Sequence, residues 1–175
     1  MIIAITGKPG VGKTTVIKKI IEKLQNKAIG FYTQEIRNSR TRKRLGFEVI
    51  TTDGQRSILA QKFKEGKYKV GSYTVDVENF EKIVIPLLEK ALEEKDKVIV
   101  IDEVGKMELL SKKFQELLKK LLSKNDAKII LTVPIKDVHP IVKEIKNRPD
   151  VKIIELTLDN RDTIPSKILE KLNER

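Results

Sequence analysis

Apolar residues along this chain follow two rhythms in turn. Short runs at Ile2–Ile5, Ala28–Thr33, Lys97–Ile101, Lys128–Val133 and Val151–Leu156 are rich in β-branched residues and nearly free of internal charge. They read as strands of a parallel sheet buried on both faces. Between them the period becomes helical. Val16, Ile17, Ile20, Ile21 and Leu24 share one face of a helix opening at Lys13, with Lys18, Lys19, Glu22 and Lys23 opposite. Val77–Glu94 places Phe80, Val84, Leu87, Leu88 and Ala91 on one side, and Pro86 inside it predicts a kink or a broken start. Ser111 is placed to cap a helix carrying Phe114, Leu117, Leu118 and Leu121. Val138–Asn147 and Ile164–Leu172 read as two shorter helices.

Strands alternating with helices at this spacing are crossover units, and right-handed crossovers bury the sheet between two helical layers. One segment breaks the rhythm. Glu35–Val49 has a basic centre followed by an apolar run, as expected of a hairpin-like excursion or a mobile loop. Strands near Phe47–Ile50 and Ser57–Ala60 flank a turn at Thr52-Asp53-Gly54. The expected architecture is therefore a three-layer α/β sandwich, with a mostly parallel sheet and an added antiparallel excursion. No linker, repeat or low-complexity stretch divides the 175 residues, so residues 1–175 read as a single domain.

Composition changes this picture only modestly. The absence of cysteine excludes disulfides and thiolate metal sites. No apolar run approaches a bilayer-spanning length, and Ile2–Ile5 passes directly into a Gly-rich turn rather than a secretory signal. A cytoplasmic location is the expectation. The formal charge of +11 suits phosphates, nucleic acid or an anionic surface without choosing among them. Composition carries no signal for oligomeric state.

The choice narrows at GKPGVGKTT. Gly7, Lys8, Pro9, Gly10, Val11, Gly12, Lys13, Thr14 and Thr15 stand between a predicted strand and a predicted helix, and they satisfy G-x-x-x-x-G-K-[ST]. Glycines let backbone N–H groups turn inward around an anion, and the helix adds its positive end. Lys13 can reach the β- and γ-phosphates, and the Thr14 hydroxyl can ligate Mg2+. The apolar strand VIVI then ends in Asp102 and Glu103. Asp102 suits a metal-linked carboxylate, and Glu103 suits a base for an attacking water. These signals leave ATPase, GTPase, kinase and nucleotide-driven machine open, although the guanine-reading N-K-x-D tetrad does not occur.

Further segments carry a more specific likeness. GFYTQEIR at Gly30–Arg37, RLGFEV at Arg44–Val49, VGSYTVDVENFE at Val70–Glu81, VIVIDEVGKMELL at Val98–Leu110 and DNRD at Asp159–Asp162 accompany the phosphate loop. With them the chain resembles, over nearly its whole length, the small thermophile-type nucleoside-triphosphatases related to the cancer-related nucleoside-triphosphatase of animals. The resemblance implies a phosphate-loop core of the recombinase-like ATPase class with added antiparallel strands. It also implies Mg2+-dependent hydrolysis of nucleoside 5′-triphosphates to diphosphate and phosphate, with loose base preference. Carried over, Gly7–Thr15 is the nucleotide site, Thr14 and Asp102 hold the metal, and Glu103 is the catalytic base. Within the basic stretch NSRTRKRLG the family glycine is absent until Gly46.

Hydrolysis commonly needs one more cation on the transferring group. Arg37 and Arg161 are the leading candidates, with Arg44 and Lys106 behind them. Two rival readings remain at this stage: a nucleoside, nucleotide or polynucleotide kinase, and a nucleotide-switched nucleic-acid binder using the five cations of Arg37–Arg44. Poor aromatic interleaving makes the latter the weaker. His139, before Pro140, reads as a helix cap or a surface residue rather than a contact to nucleotide or water, one of Phe31 and Tyr32 as core, and Phe47 as core.

Overall fold

A computed structural model describes residues 1–173. In chain order the elements are β1 (Ile2–Thr6), α1 (Lys13–Leu24), β2 (Ala28–Arg37), β3 (Arg44–Thr51), β4 (Arg56–Lys62), β5 (Tyr68–Val70), β6 (Tyr73–Val75), α2 (Val77–Glu93), β7 (Val98–Ile101), α3 (Lys112–Leu122), β8 (Lys128–Thr132), α4 (Pro140–Asn147), β9 (Val151–Glu155) and α5 (Ile164–Asn173). The strands form one sheet in the order β5-β6-β4-β3-β2-β7-β8-β1-β9. From β2 through β9 every pairing is parallel, and from β2 outward through β5 every pairing is antiparallel.

The β-branched runs sort themselves by strand alternation. Ile2 and Ala4 of β1, Ile29 and Phe31 of β2, Ile99 and Ile101 of β7, and Ile129 and Leu131 of β8 face α2, α3 and α4. Their alternates, Ile3, Ile5, Ala28, Val98, Val100 and Ile130, face α1 and α5. Two buried layers result, one on each side of the parallel half. Phe31, Phe80 and Phe114 meet edge-to-face with ring centroids 5.4 to 5.9 Å apart, joining β2 to α2 and α3. Ser111 caps α3 by accepting from the Phe114 amide at 3.0 Å and donating to Glu81 at 2.6 Å.

Several sequence expectations change in detail. Helix α2 runs through Pro86 without a break, because Pro86 and Lys82, whose carbonyl loses its helical donor, both lie on the exposed side. The hairpin alternative for Glu35–Val49 is the one found: β2 extends to Arg37 and pairs antiparallel with β3. Strands β5 and β6 were not expected, since three residues each are too few to show a period. At Gly30 a side chain is excluded outright, because a Cβ there would lie 1.8 Å from the Val100 carbonyl oxygen of β7.

The aromatic cluster carries the first prediction. Phe114→Ala opens a cavity beneath β2 and should cost roughly 3–5 kcal/mol of stability. Denaturant unfolding monitored by circular dichroism measures this, and a loss below about 1 kcal/mol would mean that the cluster does not hold the layers together.

Candidate active site

The site forms where the parallel strands end. β1 leads into the phosphate loop, in which Gly10 at φ 81° and Gly12 at φ 109° occupy left-handed conformations that favour glycine. Gly12 has no side chain with which to cap α1, so the first amides of the helix remain available to an anion. A cavity of about 640 Å³ opens beside the loop. Lys13, Thr14, Asp102 and Glu103 all line it.

Two contacts give the cavity floor its chemistry. The Thr14 hydroxyl donates to Asp102 Oδ2 at 2.8 Å, and the Thr132 hydroxyl donates to Asp102 Oδ1 at 2.6 Å. Asp102 is therefore clasped between the start of α1 and the end of β8. Alongside, Lys13 Nζ lies 3.0 Å from Glu103 Oε2. The Asp102–Glu103 peptide bond is cis. Asp102 is only 2% exposed. Burial pushes its carboxyl up to about 6, the two hydroxyls and a backbone contact at Thr33 pull it down, and the charge of Glu103 adds to the rise. Glu108, also buried, is pushed well above the ordinary carboxylate range by burial and then by the charge of Glu103. The carboxyls of Glu103 and Glu108 converge on Gly105, where a Cβ would lie 2.7 Å from one and 2.9 Å from the other.

The oxygens of Thr14 and Asp102 form a hard, oxygen-only donor pair that suits Mg2+. No group of three or more His, Cys, Asp or Glu side chains able to hold a metal occurs among the described residues. A divalent ion here would complete its shell with substrate oxygens and water, as Mg2+ commonly does.

The arginines lie apart from this floor. Arg161 follows β9 in a loop locked by Asn160, whose amide nitrogen donates to the Glu155 carbonyl at 2.9 Å. Its guanidinium reaches the Val11 carbonyl at 3.4 Å and lines a second recess with Gly12, Thr15 and Lys19, on the far flank of the loop. Arg37 is held by Glu35 at 2.5 Å and by the Arg42 carbonyl at 2.8 Å, and it does not line the cavity. Arg44 pairs with Glu35 at 2.6 Å, and Lys106 is exposed. His139 caps α4, accepting from the Ile141 amide at 3.1 Å. Phe31 is core, while Tyr32 is half-buried with Lys18 over its ring at 5.8 Å.

Sequence reading missed Thr132, although a polar residue ending an apolar strand is the same signal that marks Asp102. It also missed the outer cavity wall of Thr33, Gln34 and Glu35 and the Pro134–Val138 loop. Phe47, expected in the core, is half-buried: it packs against the core cluster and also lines the cavity.

Known proteins share this arrangement. A family model described as NTPase matches residues 2–169. The nucleoside-triphosphatase THEP1 of Aquifex aeolicus (strain VF5) is 52% identical over 176 residues, 98% of this chain and 99% of its own. The crystal structure of THEP1 from the hyperthermophile Aquifex aeolicus superposes with a TM-score of 0.91 at 48% identity, covering 99% of this chain and 100% of that one. The solution structure of a human cancer-related nucleoside triphosphatase gives 0.81 at 38% identity, covering 98% and 97%. These matches bear out the likeness carried by the sequence segments.

Burial of Asp102 predicts an inverted pH response. Between the ordinary carboxyl value of 3.8 and about 6, the folded state holds a proton that the unfolded state has lost. Stability contributed by this group is thus present at low pH and is lost as pH rises through that window. Asp102→Asn should therefore stabilise the metal-free protein at pH 7 by roughly 1–3 kcal/mol, with the gain vanishing near pH 4. Urea unfolding of both proteins across pH measures this, and a variant less stable than the parent at pH 7 contradicts it.

Proposed function

We propose, for a chain that belongs to the nucleoside-triphosphatase family, that residues 1–175 act as one phosphate-loop unit hydrolysing nucleoside 5′-triphosphates to the diphosphate and phosphate, with Mg2+ as cofactor and loose base preference. The observation that carries this reading is the meeting of Lys13 with Glu103 and of Thr14 with Asp102 on the floor of one cavity. A phosphate tail, a metal and a base are needed within a few ångströms of each other for in-line attack on a terminal phosphoryl group, and these four side chains satisfy that requirement.

The roles follow from chemistry at each atom. Backbone N–H groups within Gly7–Thr15, Pro9 excepted, bind the phosphate oxygens in a manner independent of the base. Lys13 neutralises charge on the β- and γ-phosphates. Thr14 and Asp102 would hold the metal, which would supply charge neutralisation of the phosphate chain as a Lewis acid. Asp102 must be ionised to do so, and a cation beside it favours that form. Glu103 Oε2 orients the attacking water and takes its proton. Glu103 and Lys13 hold one another in the meantime, which keeps the lysine aimed at the floor.

Arg161 and Arg37 take different parts in this reading. Arg161 sits beyond Thr15, where the α-phosphate end of the substrate leaves the loop, so its planar guanidinium suits the sugar and any of the bases. That placement supports loose base preference. Arg37 serves the γ-phosphate only after leaving Glu35. The finer fold assignment, the recombinase-like ATPase type, rests on the added antiparallel strands beside a phosphate-loop core. No helix among the described residues is long and apolar enough to cross a membrane, and we place the enzyme in the cytoplasm.

Three variants test the roles against a panel of nucleoside triphosphates. Lys13→Ala should abolish Mg2+-dependent phosphate release, and release at the parental rate would reject the assignment. Glu103→Gln should keep nucleotide affinity while turnover falls about 100-fold or more. Single-turnover release near the parental rate would remove Glu103 as the base. Arg161→Ala should raise KM several-fold for every triphosphate with little change in kcat, whereas a drop in kcat alone would move the arginine to the γ-phosphate.

A further inference from the structure

We propose that the half of the cavity beyond the γ-phosphate is a second substrate site, shaped for an uncharged nucleoside, and that the enzyme transfers the γ-phosphoryl group to a hydroxyl of that nucleoside. The proposal rests on the phosphate-loop reading above and extends it from water to an organic acceptor.

The orientation of the triphosphate follows from the floor. Lys13, Asp102 and Glu103 mark the γ end, and the recess at Thr15 and Arg161 marks the nucleoside end. The nucleotide therefore leaves the opposite half of the cavity to something else. That half is walled by Gln34 and Glu35 of β2, Phe47 of β3, and Ile135, Lys136 and Val138 beyond β8. Ile135 is 40% exposed and Val138 is 39% exposed, so two large apolar side chains stand open at the mouth of a polar site. Attack by water needs no apolar wall, whereas a ring does. The total volume of about 640 Å³ lies within the range of small-molecule clefts.

Phe47 is a prepared platform. Its ring meets Tyr73 edge-to-face at 5.2 Å, and the Arg44 guanidinium lies over it at 5.5 Å. An aromatic ring held this way stacks a nucleobase without choosing among bases. Gln34 commits its amide nitrogen to Glu48 at 2.7 Å, which leaves its amide oxygen to accept from a ring N–H. Arg37 and Arg44 both spend their guanidiniums on Glu35. Among the residues of this wall no arginine fork is free for a phosphate monoester, and Lys136 offers only a single exposed ammonium, which favours an uncharged nucleoside over a nucleotide.

The step balances without any further reagent. The nucleoside hydroxyl oxygen bonds to the γ-phosphorus. The bond from that phosphorus to the β–γ bridging oxygen breaks, and its electron pair leaves with the nucleoside diphosphate. Glu103 takes the hydroxyl proton. The products are a nucleoside diphosphate and a nucleoside monophosphate.

The test uses the full chain with γ-labelled ATP, Mg2+ and each common ribo- and deoxyribonucleoside at millimolar concentration. Labelled nucleoside monophosphate should form faster than labelled phosphate. Phe47→Ala should cut transfer about tenfold or more, while phosphate release without nucleoside changes less than about twofold. Ile135→Asp, at an exposed position that the fold does not need, should give the same split. Calorimetry of the chosen nucleoside without nucleotide should show binding that both variants lose. Phosphate release with no labelled monophosphate from any nucleoside would overturn the proposal and leave hydrolysis standing. A raised KM for ATP in both variants would assign the slot to the base of the triphosphate and also overturn it. Absence of both products would sink the hydrolytic reading together with this one.

Discussion

One buried carboxylate organises the reactive end of this molecule. Asp102 accepts hydroxyl hydrogen bonds from Thr14 and Thr132, while its own amide donates to the Phe31 carbonyl at 3.1 Å. Those contacts tie the start of α1, the end of β8 and the middle of β2 to the end of β7. Burying an ionised carboxyl is costly without partners, and here the partners are neutral hydroxyls, so the group is held at the edge of protonation. A site of this kind gains most when a cation arrives. The electrostatic strain in the protein alone and the metal chemistry of the proposed enzyme are thus two sides of one arrangement.

The sheet explains why the site can be so compact. Parallel strands end together, and the alternation of isoleucine and valine along them commits one face to α1 and α5 and the other to α2, α3 and α4. Functional side chains are left at the carboxyl edge, where crossover topology gathers loops from β1, β7, β8 and β9. Close approach at Gly30 keeps β2 tight against β7. Beyond that point β2 leaves the parallel core and turns back as β3, which raises the antiparallel wall bearing Phe47. Core and wall meet at the cavity.

The charge of +11 is less free than it looks. In the hairpin, Arg37 and Arg44 share Glu35, while Arg56 pairs with Glu48 at 2.6 Å. These pairs lie at the surface and contribute little stability each. Their effect is positional: they link β2 to β3 and β3 to β4, and they engage Glu35 on the polar rim of the cavity.

Much of this was legible in the amino-acid order. Local periods revealed the parallel strands and the five α-helices of the described residues, because burial on one or two faces dictates where apolar residues must recur. The phosphate loop and Asp102 were legible for a different reason. Backbone conformation at Gly10 and Gly12 and a carboxylate closing an apolar strand are local requirements, written within a few residues. Contacts across the chain had no such signature. That Thr132 clasps Asp102 depends on β8 lying next to β7, and that Phe47 touches both core and cavity depends on the pairing of β3 with β2. The separation of Arg161 from Arg37 on opposite sides of the loop likewise follows from strand order, with β9 at one edge of β1 and β2 three strands away on the other side. Sequence alone determined which chemical groups the site possesses, since composition and local geometry are one-dimensional. Tertiary structure alone decided which of them touch, because hydrogen bonds and ion pairs act over a few ångströms that only the folded sheet can close.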